Sequence, residues 1–295
     1  MSLRQARCGA SLAFMPFDST KTRRVLWRLA RPLIFAYAIP LVGCAAFQRK
    51  LLYFPSRAAE ETLLGQARGE SVEPWRDESR TLIGWRQRSG QHPLKARFLV
   101  FHGNAGYALH RVRYATALAY TIDCDVHILE YPGYGSRGGK PSQATLLDAG
   151  EQALRLLQKE SSVPVFIVGE SIGSGVAAGV AARAPELVAG LILITPLSRL
   201  TDVAAHHFPF LPVRLLLRDR YPAVEWLAKY HGPLAVTVAE NDEVIPNRFG
   251  RELHDSYAGR RRLWVKAGTH NTIHDSLDPK WWKEVVEFVV EKNSQ

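Results

Sequence analysis

The stretch VPVFIVGESIGSG, residues 163–175, limits what this chain can fold into more than any other part of it. A run of β-branched and apolar residues ends at G-E-S-I-G, residues 169–173, and small residues typical of a tightly packed helix follow. The G-x-S-x-G spacing between a strand and a helix predicts a sharp turn, because glycines on either side leave room for the neighbouring elements. The start of the helix would favour negative charge that develops beside the exposed serine. The motif therefore predicts that Ser171 is a nucleophile.

A glycine-rich turn between a strand and a helix can also bind a phosphate. A P-loop requires a Lys-Ser/Thr pair after its last glycine, and the sequence has none there. The spacing of Gly173, Gly175 and Gly179 is one residue too long for the dinucleotide fingerprint. The next apolar run ends at residues 195–196 without an acidic residue that could bind a ribose. The nucleophile interpretation is therefore favoured, and no dissociable cofactor is expected.

Short apolar runs alternate with helical patterns from about residue 80 onward. The runs at residues 163–168 and 187–196 are unbroken rather than alternating, which is typical of strands that are buried on both faces. Residues 80–88, RTLIGWRQR, alternate and predict an early strand, and residues 144–160 place their leucines on one helical face. The 295 residues suffice for one large α/β domain or two small ones. The pattern predicts a mostly parallel sheet that is covered by helices.

Two further motifs, together with the serine turn, give the chain a resemblance to the α/β-hydrolase superfamily over roughly residues 80–292. The segment FHGNAG, residues 101–106, looks like the family's His-Gly oxyanion segment after an early strand. The resemblance implies that the backbone N–H groups of Asn104 and Ile172 form an oxyanion hole. The loop EYPGYGSRGGKPS, residues 130–142, resembles one in a membrane-associated branch of serine hydrolases that includes protein depalmitoylases. No catalytic role is assigned to this loop.

The resemblance also implies a catalytic acid and a histidine on loops after late strands. Asp242, in AENDEVIP, follows the apolar run PLAVTVA and stands where the family's acid falls. His270, in AGTHNTI, follows the run RRLWVKA. His274 lies four residues further on and is the main competitor for the role of base. The expected triad is therefore Ser171, Asp242 and His270, on an α/β-hydrolase fold with a mostly parallel central sheet, flanking helices and a short helical lid.

These residues imply a serine hydrolase that cleaves carboxylic esters or thioesters through an acyl-enzyme, with a small molecule or an acylated protein as substrate. Two alternatives remain at this point. The chain could be a catalytically inactive hydrolase-fold protein that binds a partner at a membrane, or a serine peptidase that uses the same triad. No metal is expected, because His102, His206, His207 and His270 lack the spacing of known metal motifs.

A long interruption between two strands, about residues 197–231, predicts a lid. It contains HHFPFLPVRLLLRDRYP, which is rich in aromatic residues, leucine and proline. The apolar residues could line an acyl or lipid site beneath the lid, or they could pack ordinary cap helices against the domain. The residues concerned are Phe208, Phe210, Leu211, Val213, Leu215, Leu216 and Leu217.

The N-terminal residues 1–50 differ in charge from the rest of the chain. They contain nine lysines and arginines against one acidic residue, so +8 of the net charge of +10 lies there. A nucleic-acid-binding protein would carry its basic residues on the folded domain, so no nucleic-acid partner is expected. A basic stretch precedes the uncharged residues 32–48, a length typical of a signal-peptide core and short for a spanning helix.

The uncharged run contains LVGC, residues 41–44, which resembles a bacterial lipoprotein cleavage box. In such signals the chain is cut before the cysteine, so Cys44 is a candidate for lipidation. An uncleaved signal anchor is the alternative. Both interpretations predict a protein held at a membrane of the bacterial cell envelope by residues 1–50, a targeting and anchor segment, with the hydrolase domain over residues 51–295.

Overall fold

The computed structural model describes residues 19–90 and 93–291 and divides the chain into two compact units, residues 1–46 and 47–295. The first 18 residues of the predicted targeting segment lie outside the described residues. The described part of the first unit belongs to helix α1, Ser19–Leu52, whose last residues lie in the second unit. Within the described ranges, no helix is long and apolar enough to cross a membrane.

A sheet of eight strands forms the centre of the second unit. Its order is β2-β3-β6-β4-β7-β8-β9-β10. The pairs β2–β3 and β3–β6 are antiparallel, and all neighbouring pairs from β6 to β10 are parallel. Two short strands, β1 and β5, pair separately in parallel. The strands are β1 Phe54–Pro55, β2 Glu73–Arg76, β3 Leu82–Gln87, β4 Ala96–Phe101, β5 Ala105–Gly106, β6 Cys124–Leu129, β7 Val165–Glu170, β8 Gly190–Ile194, β9 Leu234–Ala239 and β10 Arg261–Lys266.

Helices cover both faces of this sheet. One layer contains α4, α5 and α8, and the other contains α3 and α10. Successive residues of β4 show the result, since Leu99 belongs to the first core and Val100 to the second, and both are fully buried. The remaining helices are α2 Glu60–Gly69, α3 Val112–Thr121, α4 Gln143–Glu160, α5 Ile172–Arg183, α6 Leu200–His207, α7 Val213–Leu216, α8 Ala223–Leu227, α9 Asn247–Ser256 and α10 Pro279–Val290. The mostly parallel sheet with flanking helices that the sequence predicts is confirmed.

The early strand at residues 80–88 differs from its sequence pattern. Within it, the first four residues of β3, 82–85, are all buried rather than alternately exposed. The reason lies in residues 60–76, for which the sequence pattern assigned no element. There α2 and β2 extend the fold beyond β3, and Leu63 and Trp75 become fully buried. An apparently half-solvated strand is thus covered on both sides.

The predicted lid at residues 197–231 divides into two parts. Its second part belongs to the core, because Tyr221, Ala223 and Leu227 are fully or almost fully buried and α8 packs on α5. Its first part contains α6 and α7 and carries apolar side chains in solvent, among them Phe208 and Leu215. Ordinary packing therefore explains the later residues of the segment and leaves the exposed ones unexplained.

Candidate active site

Strands β7, β9 and β10 run in the same direction and end at one edge of the sheet. Ser171 follows β7 directly, Asp242 lies on the loop after β9, and His270 lies on the loop after β10. Backbone hydrogen bonds join the last two loops, since the N–H of Asn241 donates to the carbonyl oxygen of Gly268 at 3.0 Å. The carboxyl edge of a parallel sheet thus gathers residues that are distant in the sequence.

Ser171 occupies a strained turn. Its φ of 55° and ψ of −123° place a residue with a side chain in a region that normally suits glycine, at a cost of roughly 1–3 kcal/mol. The turn is crowded on both sides. A β-carbon at Gly173 would collide with the carbonyl oxygens of Phe101 and His102, and one at Gly169 would lie 2.8 Å from the Cα of Ser174. Glycine is therefore required at both of these positions of the motif for steric reasons.

The three predicted triad side chains come together in the structure. His270 Nε2 lies 3.0 Å from Ser171 Oγ, and His270 Nδ1 lies 2.8 Å from Asp242 Oδ2. The other oxygen of Asp242 accepts hydrogen bonds from the backbone N–H groups of Val244 at 3.0 Å and Ile245 at 2.7 Å. Asp242 is buried, so its orientation is fixed by these three donors. The arrangement can remove a proton from the serine hydroxyl.

The competing histidine lies elsewhere. His274 Nδ1 is 3.0 Å from the hydroxyl of Tyr114, and His274 Nε2 is 3.5 Å from Glu170 Oε1. His207, in α6, instead contacts the acid loop, with Nε2 2.8 Å from the carbonyl oxygen of Val244. Of these histidines, only His270 is hydrogen-bonded to Ser171.

The two predicted oxyanion donors follow the neighbouring parallel strands β7 and β4. Ile172 is the first residue of α5, and Asn104 precedes β5. Among the residues that the structure describes, neither backbone N–H has an acceptor. The side chain of Asn104 contacts β1, where its Oδ1 accepts a hydrogen bond from the backbone N–H of Phe54 at 3.3 Å. Both N–H groups are thus free to bind a substrate oxygen.

The glycine-rich loop at residues 130–142 fixes the oxyanion segment. Tyr131 donates through its hydroxyl to the carbonyl oxygen of His102 at 3.1 Å, and Tyr134 donates to that of Asn104 at 2.8 Å. Burial raises the pKa of both tyrosines, so both stay protonated donors. The sequence interpretation gave this loop no role. The contact arises because β4 and β6 are parallel neighbours in the sheet, which puts the loops after them side by side.

A buried ion pair lies directly beneath the serine turn, and the sequence interpretation missed it. Both oxygens of Glu170 accept from Arg111, one of them from Nη2 at 2.9 Å. Burial opposes the charged form of Glu170, but His274 and Arg111 outweigh it and hold the pKa of this carboxyl well below its usual value. The pair touches the oxyanion loop, because a β-carbon at Gly103 would lie 3.3 Å from Arg111 Nη2. The sequence did carry one signal for this pair, because Glu170 is a charged residue at the end of an otherwise apolar run.

Within the described ranges, no group of three histidine, cysteine, aspartate or glutamate side chains could hold a metal ion. A cavity of about 430 Å³ exists far from the triad. Phe166, Pro233 and Arg260 are among its lining residues, and they lie where the strands begin. This cavity is therefore at the edge of the sheet opposite to Ser171.

Comparison with known proteins agrees with this architecture. A family model for the alpha/beta hydrolase fold matches residues 96–229. An uncharacterised protein of Mycobacterium tuberculosis is 32% identical over 262 residues, which cover 84% of this chain and 90% of that one. The alpha/beta hydrolase domain-containing protein 17C of Xenopus laevis is 26% identical over 289 residues, or 96% of this chain and 89% of that one.

Two solved structures share the fold. Est1E from Butyrivibrio proteoclasticus, with ferulic acid bound, has a TM-score of 0.58 and 17% identity and covers 70% of this chain and 95% of its own. The monoacylglycerol lipase of Paleococcus ferrophilus has a TM-score of 0.54 and 17% identity, covering 70% and 97%. The strand order and the serine turn define an α/β protein of the nucleophile-elbow type. The chain belongs to the α/β-hydrolase superfamily.

Proposed function

We propose that the protein is a serine hydrolase that cleaves carboxylic ester or thioester bonds. The observation that carries this proposal is the continuous hydrogen-bonded chain from Asp242 through His270 to Ser171, with distances of 2.8 and 3.0 Å. Each of the three residues follows a different strand of one parallel sheet, so the arrangement does not arise from proximity in the sequence. A complete triad also argues against the alternative of a catalytically inactive binding protein.

The proposed reaction has two halves. His270 Nε2 takes the proton of the Ser171 hydroxyl as Oγ attacks the substrate carbonyl, and Asp242 stabilises the resulting imidazolium. The backbone N–H groups of Ile172 and Asn104 stabilise the tetrahedral oxyanion. His270 then protonates the leaving alcohol or thiol, which leaves an ester on Ser171. A water molecule gives its proton to His270 and attacks this ester, which releases the acid and restores the serine.

We propose acyl or lipid-type esters at a membrane as substrates, either small molecules or acylated proteins. The exposed apolar part of the lid and the uncharged residues 32–48 support this choice. The resemblance of residues 130–142 to a membrane-associated branch with depalmitoylases and the fold shared with a monoacylglycerol lipase also favour it. Peptidase activity would use the same triad, but nothing in the site marks a pocket for the amine side of a peptide.

Covalent labelling tests the catalytic proposal. A fluorophosphonate probe is expected to label the folded wild-type protein on the peptide that contains Ser171, and Ser171→Ala should abolish this label. Ser198→Ala is a matched control, because Ser198 is also buried and its hydroxyl has no partner among the described residues. It should label like the wild type. A p-nitrophenyl ester series should then favour long acyl chains. Absence of labelling would refute the serine-hydrolase proposal, and a sharp preference for acetate would refute the acyl-site proposal.

We further propose that residues 1–50 direct the protein to the membrane of the cell envelope, where cleavage before Cys44 leaves it anchored through the lipidated Cys44. The LVGC box and the basic residues before it support this route. Cys44→Ser should release the protein into the soluble fraction after cell lysis and centrifugation, with Cys124→Ser as the control that stays in the membrane pellet. Full retention of the Cys44→Ser variant would instead indicate an uncleaved signal anchor.

A further inference from the structure

Two segments that contact the proposed site carry exposed apolar residues. Phe54 is 55% exposed, and its backbone N–H donates to Oδ1 of Asn104, so this residue is next to the predicted oxyanion segment. On the acid loop, Val244 is 42% exposed and donates its backbone N–H to Asp242. The edges of the site are therefore apolar where soluble proteins usually expose polar residues.

The first part of the lid continues this apolar surface. Phe208 is 56% exposed, Phe210 is 88% exposed and Leu215 is 80% exposed. His207 bonds to the carbonyl oxygen of Val244, which joins α6 to the acid loop next to Phe208. Large apolar residues exposed on one segment are costly in water, since each loses the stabilisation that burial would give.

The end of α1 is attached to the same segment. The backbone N–H of Arg218 donates to Gln48 Oε1 at 2.7 Å, and Gln48 Nε2 donates to the carbonyl oxygen of Leu216 at 3.3 Å. Arg49 binds both carboxylate oxygens of buried Asp219, at 3.1 and 3.2 Å. These contacts fix residues 47–54 to the lid. The exposed apolar residues of these two attached segments are together termed the rim face: Phe47, Leu51, Phe54, Phe208, Phe210 and Leu215.

Cations lie among these apolar residues. Lys50, Arg214, Arg218 and Arg220 are all exposed, and Arg214 is paired with Asp202 at 3.0 Å. Asp219, the nearest acid in the sequence, is buried and already bound to Arg49. The rim face thus combines apolar side chains that can enter the acyl region with cations that can bind phosphate groups, as membrane-surface segments do. The charge fits a layer of anionic headgroups.

We propose that the rim face docks on an anionic lipid bilayer and so presents the Ser171 site to esters in that layer. The inference rests on the proposed function for its catalytic meaning, but the docking itself does not require catalysis. The occupant is a bilayer because the two segments expose both apolar side chains and cations, which suit acyl chains and anionic headgroups respectively.

Photocross-linking tests the docking on the full chain. The protein is reconstituted in vesicles of phosphatidylcholine with phosphatidylglycerol that contain a diazirine-bearing phospholipid, and adducts are mapped by mass spectrometry. Adducts are expected on peptides with residues 47–54 and 208–215. None is expected on the peptide with Tyr120, which is 90% exposed but lies at the end of α3, at the opposite edge of the sheet.

The triple variant Phe208→Ser/Phe210→Ser/Leu215→Ser should reduce the adducts on residues 47–54 on the order of tenfold or more, because three apolar side chains no longer enter the bilayer. Tyr120→Ser is the matched control and should give wild-type yields. Vesicles without phosphatidylglycerol should also lower the yield. Adducts confined to residues before 47, or equal yields for the triple variant, would overturn the proposal. Equal yields without phosphatidylglycerol would overturn its anionic specificity. Fluorophosphonate labelling of the triple variant in detergent reports separately on the proposed function.

Discussion

Replacing Asp242 with asparagine is expected to lower kcat by roughly 10⁴-fold, because the imidazole of His270 is then held in the wrong tautomer. In the wild type, Nδ1–H of His270 donates to Asp242, which leaves Nε2 as an acceptor for the Ser171 hydroxyl. An asparagine keeps one oxygen, which the N–H groups of Val244 and Ile245 already occupy. Its NH₂ group would therefore face His270 and place the proton on Nε2.

The measurement is steady-state hydrolysis of a p-nitrophenyl ester together with the rate of fluorophosphonate labelling. Asp255→Asn is a matched control, since Asp255 Oδ1 also lies 2.8 Å from a histidine, His254, but on the exposed side of α9. It should leave kcat unchanged. A loss of less than tenfold for Asp242→Asn, in a variant with wild-type thermal stability, would show that Asp242 is not the catalytic acid.

The triad could be predicted from the sequence because each member is marked locally. Ser171 stands in a motif that steric crowding requires, and Asp242 and His270 follow apolar runs that become β9 and β10. Its position four residues after the end of β10 then favours His270 over the more distant His274. None of this needs knowledge of distant contacts, and only the strand order of the sheet has to be assumed.

The supports of the site could not be predicted in the same way. Tyr131 reaches His102 and Arg111 reaches Glu170 only because β4 lies between β6 and β7 in the sheet, an order that differs from the order in the chain. A similar reason applies to the lid. Tyr221 looks like any other residue of an aromatic loop, yet it is buried because Gly175 of α5 lets it approach closely. These contacts depend on long-range packing.

Glu170→Gln is expected to lower the free energy of unfolding by about 3–5 kcal/mol, because it leaves the guanidinium of Arg111 without its counter-charge. Arg111 is only 13% exposed, so water cannot replace the lost carboxylate. His274 loses the same partner, at 3.5 Å. Urea denaturation of both proteins gives the difference. Glu78→Gln is the control, since Glu78 and Lys159 pair in solvent, and it should unfold like the wild type.

The dependence of this difference on pH separates a charge effect from a packing effect. The pKa of Glu170 is lowered in the folded state, so its contribution is present above the ordinary carboxyl value of 4.5 and is lost as the pH falls towards the folded value. The gap between wild type and Glu170→Gln should therefore be full near pH 7 and should narrow below about pH 4.5. Groups common to both proteins cancel in the difference. A gap of constant size would mean that glutamine simply fits the space badly, and the Arg111 pair would then not stabilise the serine turn through its charge.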